Sequence, residues 1–214
     1  VTLGIVVGLR AEARLARRLP GRVAIGGGTR AGARQAAERL VAEGATALLS
    51  FGLAGGLDPA LGAGAILTPG LVLSGDERLV ADARLIALLG GTPAGSLLDV
   101  MAVVADATAK RRLRRESGAA AVDLESGPVA LAAEAHGLPF AVLRAICDPA
   151  QRTLPPAALA ALDAGGGIAP WRVLASLARH PGQLPTLLAL ARDAAAARAA
   201  LAAHLARLPG AQAS

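Results

Sequence analysis

VDLESGPVALAAEAHGLPFAVLRAICD, residues Val122 to Asp148, decides the fold class of this chain. Ala119 to Asp123 reads as a strand, followed by a helix over Glu125 to His136 with its acidic residue in the first turn, at the positive end of the helix dipole. Gly137-Leu138-Pro139 turns the chain. The apolar run Phe140 to Ile146 then reads as a strong strand that ends at Cys147-Asp148-Pro149.

The alternation continues toward the N-terminus. Thr2 to Leu9 reads as a buried strand, and a helix over Arg10 to Leu19 is stopped by Pro20-Gly21. A short strand, Arg22 to Ile25, leads into the flexible turn Gly26-Gly27-Gly28-Thr29 and a helix from about Gly32 to Ala42. Ala45 to Phe51 is a strand ending in Gly52-Leu53-Ala54-Gly55-Gly56. Ile66 to Ser74 is extended, Glu77 to Leu89 reads as a helix stopped by Gly90-Gly91, Gly95 to Val104 holds one or two strands, and Asp106 to Glu116 is a basic helix. Beyond Asp148 the pattern is helical, at about Pro156 to Leu162, Pro170 to Arg179 and Leu184 to Leu208. Strands alternating with helices predict an α/β fold, a three-layer sandwich whose central mixed sheet is covered on both faces. No internal repeat or linker interrupts it, so residues 1–214 read as one domain with a helical tail from about 155.

Composition narrows the function classes. A chain of 214 residues buries about 70% of its unfolded surface and needs no staples. The single cysteine, Cys147, rules out an intrachain disulfide. No N-terminal segment has the pattern of a secretory signal, and glycine, proline or charge breaks every apolar stretch short of the ~20 residues that span a bilayer, so a soluble, cytoplasmic protein is expected. The net charge is +6 and nearly all arginine, with Lys110 the only lysine. Nucleic-acid binding wants a basic stripe and aromatic platforms. This chain has no tyrosine, two phenylalanines and one tryptophan, and its arginines sit in separate helical turns apart from Lys110-Arg111-Arg112-Arg114-Arg115. That argues against nucleic acid and suits a small anionic substrate or simple solubility. The core must be built from Ala, Val, Leu and Ile.

In an open α/β sheet, ligands bind beyond the C-terminal ends of the strands. Gly8 to Glu12, Gly52 to Gly56 and Cys147-Asp148 are such ends, and Asp123 with Glu125 forms a further acidic cluster. Gly52 to Gly56 suits either close backbone approach to a ligand or a turn. Gly26 to Gly32 suits an anion nest or a tight turn; it lacks both the Walker and the Rossmann spacing, so no ATP or NAD expectation follows. Asp148, after an apolar strand and before a proline, is either a partly desolvated general acid or a turn former. Glu12 and Glu125, each in a first helical turn, are functional carboxylates or dipole partners. His136, His180 and His204 have no metal-ligand spacing, and Cys147, with no base nearby in sequence, reads as a small buried residue.

Three segments together resemble the nucleoside phosphorylase/nucleosidase superfamily: Leu3 to Glu12 (LGIVVGLRAE), Ser50 to Gly56 (SFGLAGG) and Val122 to Asp148, with its acidic strand-to-helix box and Arg-x-Ile-x-Asp strand end. Residues 177–197 (LARHPGQLPTLLALARDAAAA) and 51–64 (FGLAGGLDPALGAG) are similar to a narrower branch, the phosphorylases associated with hopanoid biosynthesis. The resemblance implies a mixed sheet flanked by helices, a homo-oligomer, and cleavage of the N-glycosidic bond of a 5'-substituted adenine nucleoside by phosphorolysis. The branch points to adenosylhopane as substrate, with inorganic phosphate as co-substrate and no metal or organic cofactor. The alternatives are a hydrolytic nucleosidase of the methylthioadenosine/S-adenosylhomocysteine type and a non-catalytic nucleoside-binding protein on the same fold. By the same resemblance Asp148 assists the leaving base at N7, Glu125 holds the ribose hydroxyls, and Leu124 replaces the usual methionine against the sugar. Glu12 activates water in nucleosidases, while Arg10, with Gly27 and Gly28, grips phosphate in phosphorylases. Ala54 and Gly55 line the purine and ribose pocket, and Met101 falls near the family's base-stacking phenylalanine. An adenosyl lipid needs an apolar exit. The tail from Trp171 to Leu208 either borders that exit, rests on a membrane as a peripheral contact, or simply packs on the sheet.

Overall fold

The computed structural model describes residues 1–155, 158 and 179–208. The strands are β1 (Leu3–Val7), β2 (Arg22–Ile25), β3 (Ala47–Gly56), β4 (Ile66–Leu67), β5 (Leu71–Ser74), β6 (Glu77–Val80), β7 (Ser96–Asp99), β8 (Ala121–Asp123) and β9 (Phe140–Asp148). The helices are α1 (Arg10–Ala16), α2 (Arg30–Ala42), α3 (Ala83–Leu88), α4 (Ala107–Ser117), α5 (Ser126–Ala135) and α6 (Leu184–Leu205), the last preceded by a 3-10 turn at Pro181–Gln183.

Among the described residues the strands form one mixed sheet in the order β2-β1-β3-β8-β7-β5-β6, with β9 beside β3 and β4 beside β9. The long strand β3 makes this possible. It runs parallel to β1 through Phe51 and to β9 from Leu48 to Gly55, and its last two residues pair antiparallel with β8. The C-terminal ends of β1 and β9 and the start of α5 therefore meet around the glycine-rich second half of β3. The helices cover the sheet on both sides, α2 packing with α5 and α1 with α6. In α2 the stripe Ala33, Ala36, Ala37 and Leu40 is buried at helical spacing; in α6 it is Ala197, Leu201 and Leu205. Small side chains bring α5 so close that a Cβ on Gly127 would collide with the Asp99 carboxylate. Both phenylalanines, Phe51 and Phe140, are core residues.

The expected alternation holds, with corrections. Glu77 to Leu89 is not one helix: Glu77–Val80 is β6, a hairpin partner of β5 across Gly75-Asp76, with Gly75 at φ +60°. Ser-Gly-Asp-Glu was the turn signal, and Asp82 then caps α3 by accepting from Leu85 N at 2.8 Å. Gly52 to Gly56 is the second half of β3 rather than a turn after it. Ile66 to Ser74 breaks into β4 and β5 around Pro69-Gly70, and Gly95 to Val104 yields only β7. The expected helices at 156–162 and 170–179 lie outside the described residues, apart from residues 158 and 179. No described helix is long and apolar enough to cross a membrane.

Candidate active site

An arginine sits in the middle of the apolar strand β9. Arg144 is 0% exposed, and a buried cation persists only with counter-charges and acceptors around it. Asp123 Oδ2 lies 2.8 Å from its Nε and Glu125 Oε2 lies 3.6 Å from its Nη2. Nη2 also donates to Ser50 Oγ at 2.7 Å and Ser126 Oγ at 3.2 Å. Asp123 serves the local fold as well: its Oδ1 accepts from the amides of Glu125 and Ser126, the turn that opens α5.

Glu12 arrives from the first turn of α1 and is buried. Its Oε2 accepts from the amides of Gly8 (3.0 Å) and Leu9 (2.7 Å), and its Oε1 from that of Leu53 (3.0 Å). Two glycines let these groups converge. A Cβ on Gly8 would lie 2.6 Å from Glu125 Oε1, and one on Gly52 would lie 2.6 Å from both Arg144 Nη1 and Glu12 Oε1. Gly52→Ala, whose backbone is also at φ +153°, is expected to cost about 1–3 kcal/mol and to spread the cluster, read by urea unfolding. Parental stability would contradict this packing.

Glu12, Asp123 and Glu125 thus surround one guanidinium. Burial pushes the Glu125 carboxyl up to about 8, with Arg144 opposing and Glu12 and Asp123 adding to the rise. Burial likewise raises Glu12, again against Arg144. The sign for stability follows. Between the ordinary value near 4.5 and about 8 the folded chain holds a proton on Glu125 that the unfolded chain has lost. Stability is therefore full below that window and falls through it, by up to about 1.4 kcal/mol per pH unit for one proton. Glu125→Gln is expected to flatten this slope in unfolding curves between pH 5 and 8.5; an unchanged slope would contradict a buried protonated Glu125.

A second polar group lies at the end of β9. Asp148 is buried beside Gly55, whose Cβ would lie 3.7 Å from Oδ2. Lys110 Nζ meets the same oxygen at 2.5 Å. The sequence places Lys110 in a run of basic residues; the structure buries it completely, the one buried residue of α4. Burial raises the Asp148 carboxyl and Lys110 opposes the rise. The neighbouring Cys147 thiol is pushed up to about 12 by burial, so it stays a neutral packing group.

A third cluster fixes the frame. Asp99, at the end of β7, accepts from Ser74 Oγ at 2.6 Å and pairs with Arg30 of α2. Burial raises its carboxyl, against Arg30 and Ser74.

The structure therefore brings together Glu12 and Glu125 around Arg144, and places Ala54, Gly55 and Asp148 side by side on β3 and β9. Leu124 is half-buried between Asp123 and Glu125. Arg10 is exposed; with Gly26, Gly27, Thr29, Gln35 and Arg39 it lines a separate cleft of about 730 Å³. Gly28, the last glycine of that turn, presents its amide to Glu125. Met101 is 80% exposed on the loop after β7. Sequence reasoning missed Arg144, Lys110, Ser50 and Ser126. The usable signal was a charge within FAVLRAICD, an otherwise apolar strand.

The resemblance to the nucleoside phosphorylase/nucleosidase superfamily is borne out at the level of the superfamily. Residues 70–164 match the family model described as Phosphorylase superfamily. No curated protein matches the chain in sequence at a significant level. Among solved structures, the S-adenosylhomocysteine nucleosidase of Streptococcus pyogenes is similar at a TM-score of 0.68 and 16% identity, covering 97% of each chain. The 5'-methylthioadenosine/S-adenosyl homocysteine nucleosidase of Helicobacter pylori gives 0.66 and 18%, over 97% of this chain and 98% of that one. The futalosine hydrolase of the same organism gives 0.64 and 18%, over 90% and 97%. At these identities the likeness is one of fold: a mixed sheet flanked by helices, as in the nucleosidases.

Proposed function

We propose that this chain cleaves the N-glycosidic bond of a 5'-substituted purine nucleoside, with Glu12 as the base for an attacking water. The observation that carries the reading is the buried nest of Glu12, Glu125 and Asp123 around Arg144 at the converging strand ends. Breaking the C1'–N9 bond leaves positive charge on the sugar and sends the bonding electrons into the base. Carboxylates near the sugar stabilise the first. A proton delivered to N7 by Asp148 neutralises the second. Glu125 receives the ribose hydroxyls. Water forms the new bond to C1' and loses its proton to Glu12, which the amides of Gly8, Leu9 and Leu53 hold in place. A nest with three acids around one cation suits neutral water better than an anion.

A specific observation favours phosphate instead: the cleft that joins Arg10 and Arg39 to the Gly26-Gly27 turn. In that reading phosphate attacks C1' and a ribosyl 1-phosphate results. For the 5'-substituent, the likeness of residues 177–197 to the hopanoid-associated branch supports adenosylhopane, and each buried CH₂ of such a lipid adds about 0.8 kcal/mol of binding. Exposed Met101 and Val103 leave apolar surface two and four residues beyond Asp99 for it to meet. The test compares adenosine, methylthioadenosine and adenosylhopane in detergent, with and without phosphate. Adenine release with a free ribosyl product, indifferent to phosphate, is expected. Phosphate dependence moves the nucleophile to phosphate, and preference for the small nucleosides removes the lipid.

A further inference from the structure

We propose that Lys110 is a positioning residue: it holds the Asp148 carboxyl by Oδ2 and stabilises the carboxylate formed when Oδ1 gives its proton to the leaving base. This rests on the N-glycosidic reading above. Lys110 is the only lysine of the chain, and it is the one cationic residue of α4 that is buried. An ammonium has three protons. Here they meet Asp148 Oδ2 at 2.5 Å, Pro149 O at 3.2 Å and Arg152 O at 3.0 Å. The side chain is fully satisfied and has no freedom to reach a ligand, so it acts through Asp148.

The other carboxyl oxygen is the telling one. Asp148 Oδ1 is buried and has no hydrogen-bond partner among the described residues. An orphaned buried oxygen is costly unless it carries a proton or meets a ligand. The pair is therefore built with one oxygen anchored and the other open.

The charges around Asp148 leave Lys110 in control. From α4 comes Lys110, from the segment after β9 comes Arg152, from α6 comes Asp193, and Cys147 adjoins along the strand. Arg152 and Asp193 pair with each other and act on Asp148 in opposite directions. Burial alone would make Asp148 too weak an acid; a fixed cation on Oδ2 strengthens it by stabilising its conjugate base. In the step, the Oδ1–H bond breaks and an N7–H bond forms as the C1'–N9 pair moves into the base. Asp148 becomes a carboxylate and Lys110 stays an ammonium throughout.

The experiment titrates the Asp148 carboxyl by ¹³C NMR in ligand-free protein, its signal assigned by its loss in Asp148→Asn. Lys110→Met, Lys110→Gln and Lys110→Arg are compared with the parent. The two neutral variants are expected to move the midpoint up by about 1–3 pH units, with Lys110→Arg staying nearer the parent. Lys110→Gln serves where Lys110→Met does not fold. Turnover of adenine nucleosides by the neutral variants should fall about 10–100-fold, while 4-nitrophenyl riboside, whose leaving group needs no proton, is cleaved at the parental rate. An unmoved midpoint in a folded neutral variant, or equal losses on both substrates, overturns the proposal. The titration needs no substrate, so its failure sinks the role of Lys110 alone, whereas a parent that cleaves no nucleoside sinks the functional reading.

Discussion

Arg144→Met is expected to lower the stability of the chain by about 3–5 kcal/mol and to abolish nucleoside cleavage. The methionine fills much of the volume but carries no charge. Three acids that surround Arg144, Asp123, Glu125 and Glu12, would be left buried without their cation. Glu12 and Glu125, which burial raises against Arg144, would lose that opposition and hold their protons to higher pH. The loss should therefore be larger at pH 8 than at pH 5, the direction set by linkage when the folded state binds more protons than the unfolded one. The hydroxyls of Ser50 and Ser126 would also lose their shared donor. Urea unfolding at the two pH values is the measurement. A variant within about 1 kcal/mol of the parent at both would mean that the carboxylates do not depend on the guanidinium.

Asp148→Asn is expected to lower turnover of adenine nucleosides about 10²- to 10⁴-fold while the chain stays folded. The amide cannot give up a proton to N7, yet its oxygen still accepts from Lys110, so the anchor survives in weakened form. Nucleoside affinity should change far less than kcat, because the loss falls on the bond-breaking step. Turnover within about threefold of the parent would remove Asp148 from the chemistry.

Much of this arrangement is legible in the sequence, and the reasons divide cleanly. Strands such as Phe140–Asp148 are read from continuous apolar runs, because a strand buried on both faces needs them. Glu12, Glu125 and Asp148 stand out as acids at element junctions. Their partners do not. Ser50 lies 94 residues from Arg144, which binds it, and Lys110 lies 38 residues from Asp148, so neither pairing leaves a local trace. Lys110 was hidden more deeply, because four arginines around it at 111, 112, 114 and 115 give its helix the look of a solvated basic face. Only the helical phase relative to the sheet turns one of the five inward. The β6 hairpin was missed because Glu77 to Leu89 has enough leucine and alanine to suggest a helix throughout, while the two-residue turn before it decides the matter.

The central claim, that the nest around Arg144 breaks an N-glycosidic bond, is tested most directly by product analysis. The folded chain is incubated with adenosine, methylthioadenosine and adenosylhopane, with and without phosphate, and adenine and sugar are quantified together. Adenine and ribosyl product appearing in equal amounts from at least one nucleoside, and lost in Glu12→Gln, is the result predicted. Full recovery of every intact nucleoside in the presence of folded protein, with phosphate supplied, would contradict it.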